Sequence, residues 1–394
     1  MLKRSGAFAL TMLMLVCMAL PAQAALLGPA RSYEELTALA GGASAGDTLL
    51  VAGEIAFPAG GVLSVSPSVS IRPAQGETAA IRGLRIESSD VRLYDMTLLD
   101  SLTVRGSSTV ELTGVTVSGA PGAHGVSFTG SGALIVDPSC SITGGSEAAG
   151  VSLSHTGGDL YVSLEGSIAG GSGATGGPGV LVSPLGNYGA MMIAGSIAGG
   201  EGTIAGGQAL NLFDLQGNAF VTVDGTLTGG GGVIGGDGVQ VISAGGFANI
   251  GIVGSVSGGD GESYGGDAVM LMNAGDSSTI YLSGTLSGGD ALAYGAQPGS
   301  ALLIVGKESS FHTHMVDCAL YDGRALASEP EVTPLPELTA SIEDSDLLMT
   351  PEPPAQEATP SEPLPPDAPL ATPAPPATPD EASGASPLSP DAAP

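Results

Sequence analysis

This chain of 394 residues lacks tryptophan, and aromatic residues make up only 4% of it. That argues against a broad aromatic platform for stacking sugars. Three cysteines are present, Cys17, Cys140 and Cys318, too few for a small disulfide-stapled scaffold. Basic residues are scarcer still: ten Lys and Arg against 39 Asp and Glu, with no Lys or Arg between Arg105 and Lys307. Nucleic-acid binding needs a basic footprint to neutralise phosphates, so that class is excluded. Attraction to an anionic membrane surface fails on the same ground. After the N-terminal segment no run of about 18 apolar residues occurs, so no membrane span is expected.

Lys3 and Arg4, the apolar run Ala7–Leu20 and the small-residue pattern Ala22-Gln23-Ala24 read as an export leader over residues 1–24. Cleavage after Ala24 would start the mature chain at Ala25, which is therefore expected to be secreted or held at a cell surface. Composition changes again near Ser328. Residues 329–394 carry 18 of the 28 prolines, 13 acidic residues and no basic one. Such a segment cannot bury enough apolar surface to offset its ordering entropy, and it is expected to be a disordered acidic tail.

Between these lie the glycines, 63 of 64 of which precede residue 328. Gly166-Ser-Ile-Ala-Gly-Gly171 recurs at Gly195, Gly225, Gly254 and Gly284, at spacings of 29, 30, 29 and 30 residues. A period of that size marks a stack of similar units. Looser copies extend the series upstream, so one apolar column runs Val117, Ile142, Ile168, Ile197, Leu227, Val256, Leu286. Each repeat holds two further apolar runs, such as Leu160–Val162 with Val180–Val182. Gly-Gly pairs at this density forbid the long helices of a helical solenoid. Three short strands with glycine corners instead fit one coil of a parallel β-helix, with like positions stacked at about 4.8 Å. The glycines are expected to turn corners with positive φ. Ser32-Tyr-Glu-Glu35 followed by Leu36 and Leu39 predicts a short capping helix over the open N-terminal end.

The segment Ser32–Ile55, SYEELTALAGGASAGDTLLVAGEI, resembles the opening of right-handed parallel β-helix proteins of the pectate-lyase superfamily. The Gly-Ser/Thr-Ile/Leu-x-Gly-Gly repeats are similar to those of autotransporter passenger and adhesin-like β-helices. The resemblance spans roughly Ser32 to Ala327. It implies an all-β, right-handed solenoid over 25–328, of nine or ten coils, with the regular repeats at about 150–306. It implies little about activity, because the fold hosts lyases, hydrolases and plain surface rods.

Candidate chemistry is sparse. Lyases of this superfamily use calcium-binding acids and a basic residue, and only Arg72, Arg82, Arg85, Arg92 and Arg105 offer one. Pairing with Asp95, Asp100 or Glu111 is the plainer role for them. His124 in Ala123-His124-Gly125 approaches a hydrolase motif, with Asp95 and Asp100 on the preceding coil; an outward histidine at a glycine corner is the plainer account. Asp260 with Asp290, and Asp237 with Asp267, should sit on adjacent coils, where calcium would relieve their repulsion. Solvated turn acids that keep the stack soluble are the competing reading. His312-Thr-His314 near Asp317 is a fragment of a zinc site at most. The expected object is a monomeric, non-catalytic structural or adhesin-like rod, needing no cofactor and meeting an unidentified surface ligand or glycan. The alternative is a carbohydrate-active lyase or hydrolase, which a surface groove holding two carboxylates, or a carboxylate with an arginine, would favour.

Overall fold

The computed structural model describes residues 24–65, 68–155, 157–186, 188–244, 247–272, 278–305 and 311–326. Leader residues 1–23 and the tail 329–394 lie outside them. The chain winds as a right-handed parallel β-helix, the hand that nearly all parallel crossovers take. Every strand pairs in parallel with the equivalent strand of the next coil, and 26 of them form one continuous sheet.

Three faces make up each coil, and in each an apolar column points inward. On the first face the register runs Leu49, Ile71, Leu93, Leu112, Val136, Leu164, Ile193, Val223, Ile252, Leu282. On the third, Leu84 begins a column that continues through Leu102, Val126, Val151, Val180, Leu210, Val239 and Val269. The second face carries the column seen in the repeats. Ile55, Ile81 and Leu98 lead into Val117, and the register then follows the expected order to Leu286 and Leu320. Ile55 through Leu286 are all buried, while Ser167, Ser196, Thr226, Ser255 and Thr285 face out, as strand alternation requires. This column counts eleven levels among the described residues, one or two more than nine or ten. The excess comes from the early coils, where Ile81, Leu98 and Val117 are only 17 and 19 residues apart.

The capping helix forms over Tyr33–Gly42 and buries Leu36 and Ala40 against the stack. Ser32 accepts the Glu35 amide, as the pattern predicted, but the Glu35 carboxylate reaches back to the amide of Arg31 rather than of Ser32. At the other end the inward column runs out: Met315 and Leu320, in register with Leu282 and Leu286, are exposed.

The regular coils differ from the expected three-strand circuit. Between the second and third faces the chain leaves the body, turns and returns, and the excursions stack into a separate six-stranded parallel sheet. Its strands include Gly173–Thr175, Gly202–Ala205, Gly232–Ile234 and Gly261–Tyr264. This fin joins the body through a neck of glycine pairs. Gly200 accepts the Gly207 amide, Gly207 accepts Gly230, Gly230 accepts Gly236, and the zigzag runs unbroken from Gly171 to Gly323. None of these glycines has a positive φ. They are required because a Cβ on Gly230 would lie 2.0 Å from the Gly200 oxygen, and one on Gly207 2.1 Å from the Gly177 oxygen. Close approach of backbones, not corner geometry, fixes glycine here.

Candidate functional site

Where the fin meets the body, a groove of about 800 Å³ runs along the stack. Its body wall is the outward end of the second face, Thr228, Ser257, Ser287 and Tyr321. Its fin wall is the first corner column, Glu201, Asp260, Asp290 and Arg324. One hydroxyl and one corner residue arrive per coil, so the groove has the pitch of the stack, about 4.8 Å.

Each corner acid is tied to the next coil. Glu201 Oε2 accepts the Gly231 amide at 3.0 Å, and Asp260 Oδ1 accepts the Asp290 amide at 2.8 Å. Asp290 Oδ1 accepts the Arg324 amide, and its Oδ2 takes the Arg324 guanidinium, both at 2.8 Å. The Arg324 amide, followed by its guanidinium, holds the Asp290 carboxyl below the usual range. Among the described residues no hydrogen bond engages Asp260 Oδ2, which is open to solvent.

The return corner repeats the device in a drier setting. Asp237 Oδ1 accepts the Asp267 amide at 2.9 Å, and Asp267 Oδ1 accepts the Ser300 amide at 2.7 Å. Asp237 is only 9% exposed, and burial pushes its carboxyl up to about 6. Burial raises Asp267 as well. Asp260 and Asp290 are thus neighbours, as are Asp237 and Asp267, and each carboxylate pairs an amide or guanidinium of the next coil; Asp260 remains exposed at its turn, whereas Asp237 is buried. Among the described residues no three of His, Cys, Asp and Glu gather as a metal site.

The remaining candidates occupy separate places. Arg82 pairs with Asp100 and Glu54, and Arg92 with Glu111. His124 is half-buried, not outward; its Nδ1 accepts the Ala149 amide at 3.0 Å, and burial lowers its pKa. His314 stacks on Tyr281 with ring centroids 5.0 Å apart, while the His312 side chain lies outside the described residues. Cys140 is buried and Cys318 half-buried, six levels apart and unpaired.

Composition alone hid one feature. The few aromatics are sorted by position: Tyr33, Phe57, Tyr94 and Phe128 are buried or half-buried, whereas every described aromatic side chain from Tyr161 onward is exposed. Tyr161 and Phe220 stand in one outward row of the first face, two coils apart with Ala190 between. Tyr281 follows two coils later in the adjacent row. The signal that could have found them was their alignment to outward strand positions, not their number.

No protein-family model and no curated protein matches this chain. Among solved structures it is similar to PfbA, a surface adhesin of Streptococcus pneumoniae, at 8% identity over 73% of this chain and 88% of that one, with a TM-score of 0.34. The fold assignment rests on the strand register, which stands without that likeness.

Proposed function

We propose that this chain is an exported, non-catalytic rod whose regular coils form an adhesive surface for a neutral, polyhydroxylated ligand such as a glycan chain. The carrying observation is a set of solvent-facing aromatics on the first face, Tyr161 and Phe220 in one row and Tyr281 in the row beside it, one at every second coil. Large aromatics left in water along one face of the stack are the usual anchors of an interface. Their spacing along the axis, about 9.6 Å, suits a ligand with its own linear repeat. The 201-residue stretch without Lys or Arg disfavours a polyanionic ligand. In this reading the tail 329–394 is a spacer and the rod acts as a monomer.

Binding of the full chain to an array of neutral and acidic glycans tests this. Tyr161→Ala, Phe220→Ala and Tyr281→Ala should each weaken binding roughly tenfold, the effect of truncating an interface anchor. Their outward positions should leave the melting temperature unchanged. Equal binding by wild type and the triple variant removes the reading.

One observation favours the enzymatic alternative. Glu201 and Asp260 face one groove two coils apart, about 9.6 Å along the axis, at the outer limit for the carboxyl pair of an inverting hydrolase. A hydrolase there would release reducing ends from a bound glycan and lose that activity in Glu201→Gln and Asp260→Asn. The rod reading expects no release from either chain.

A further inference from the structure

The first coil holds a buried carboxylate with no cation beside it among the described residues. Asp47 is 6% exposed, yet both its oxygens are met only by neutral donors: Oδ1 by the Ala25 amide at 2.8 Å and Oδ2 by the Ser44 amide at 2.7 Å. Those two amides, Ala25 first, hold it below the usual carboxylate range. Among the described residues no Lys, Arg or His pairs with it. Burying an ionised carboxylate without an opposite charge is costly even when its oxygens are hydrogen-bonded. Ala25 itself is fixed on its other side, because its carbonyl accepts the Thr48 amide at 2.8 Å.

The nitrogen on Asp47 belongs to the residue that the leader pattern, Ala22-Gln23-Ala24, would expose. We propose that cleavage between Ala24 and Ala25 completes this site: the freed α-ammonium of Ala25 becomes the missing cation, and Asp47 is its built receptor. Hydrolysis of the Ala24–Ala25 peptide bond consumes one water, which leaves a carboxylate on Ala24 and an ammonium on Ala25. The nitrogen need not move. A hydrogen bond in which only the carboxylate is charged becomes an ion pair in which donor and acceptor both are. The mature N-terminus is thereby pinned to the first coil beside the capping helix, and processing stabilises the end of the stack where its first rung forms.

The test uses three chains that differ only at this nitrogen. One begins at Ala25 with a free amine, one is the same chain acetylated at Ala25, and one retains Leu20–Ala24 ahead of it. The free-amine chain should melt a few degrees higher than the other two, which should melt alike. In an Asp47→Asn background all three should coincide. The Ala25 α-amino group, followed by isotope-labelled NMR, should titrate above the ordinary range of about 7.7–8.0. Separately, the full chain should be expressed in an exporting bacterial host and the product sequenced from its N-terminus, where Ala25 is expected. Equal melting of free and acetylated chains overturns the proposal, as does an advantage that survives Asp47→Asn. A product beginning elsewhere, or left uncut, overturns it too. If Asp47→Asn does not fold, the acetylation pair and the titration still decide.

Discussion

The early and the regular coils share one core but solve the same two problems differently. Early circuits are short and turn on residues in the left-handed region, Gly83, Asp95, Asp100, Gly106 and Gly114. Regular circuits are longer by the fin, and their repeated glycine pairs use ordinary φ to let backbones touch. The acids shift in the same direction, though Asp90 in an early coil already accepts the Thr109 amide and Asp290 in a regular one still meets Arg324. In the early coils Asp100 and Glu111 are met by Arg82 and Arg92. In the regular coils Glu201, Asp237, Asp260 and Asp267 are met by backbone amides of the next coil. A stack can therefore lose nearly every base and keep its acids satisfied, because the register delivers a donor at each level. For these four acids the ladder supplies the donor that a basic side chain supplies in the early coils.

The shared core should show the largest effect. Leu227→Asp puts an ionised carboxylate where no donor exists and is expected to cost more than about 4–5 kcal/mol. Leu98→Asp, on an early level of the same column, should cost a similar amount. The outward neighbour Thr226→Asp should change stability by no more than about 0.5 kcal/mol. Denaturant titrations of the three variants check this. A large difference between Leu98→Asp and Leu227→Asp would divide the column into two cores.

The glycines should separate the halves. Gly83→Ala carries only the strain of a positive φ, with no atom within 4 Å of its new Cβ, and about 1–2 kcal/mol is expected. Gly230→Ala must push backbone aside, since the Gly200 oxygen lies 2.0 Å from the Cβ position. About 3 kcal/mol or more is expected there, because overpacked backbone has no rotamer to yield. Urea midpoints order the two, and an equal loss would mean that the neck relaxes.

How much of this was legible follows from the same contrast. The inward columns could be read from residues 117 to 286, since a fixed period aligns Ile168 with Ile197 and Leu227 without any knowledge of space. The early levels Ile55, Ile81 and Leu98 have no constant spacing, so periodicity alone starts the column at Val117 and undercounts the coils. The fin was hidden because its strands are built from residues such as Gly202-Thr203-Ile204 that look like corner. Asp260 and Asp290 were found as neighbours, but their amide partners could not be, because that pairing depends on the one-coil offset of the backbone. The aromatic row was missed because Tyr161, Phe220 and Tyr281 occur only on alternate coils and in two adjacent rows.

A smaller effect concerns pH. Asp237 has its folded pKa raised by burial to about 6, above an unfolded value near 3.9. Between these values the folded chain binds more protons, so its stability falls as pH rises from about 4 to about 6. The loss at pH 7 should be on the order of 2–3 kcal/mol. Asp267, raised in the same way and facing Asp237, adds in the same direction. Asp290, with its pKa lowered, acts oppositely: its stability is present above the unfolded pKa and lost as pH falls through the folded one. The difference between wild type and Asp237→Asn isolates the buried group. Thermal melts from pH 4 to 7 should be flatter in the variant, and parallel curves would count against a buried carboxyl at this corner.

The smallest expected effect is that of calcium on the acidic corners. Calcium takes six to eight oxygens, and a site built from two coils must supply most of them from carboxylates and carbonyls. Asp260 and Asp290 each commit Oδ1 to an amide of the following coil, and Asp290 commits Oδ2 to Arg324. Asp260 could offer its Oδ2, but recruiting Asp290 would break its pairing with Arg324, so binding would have to offset that loss before it stabilised anything. The melting temperature is therefore expected to be the same with millimolar calcium as with chelator. Asp260→Asn with Asp290→Asn should lower it equally in both, because an amide oxygen is a weaker acceptor than a carboxylate for those rungs. A calcium-dependent rise in wild type that the double variant abolishes would reverse the account of this column. Its acids would then be ligands first and rungs second, and the regular coils would differ from the early ones in what they bind as well as in how they turn.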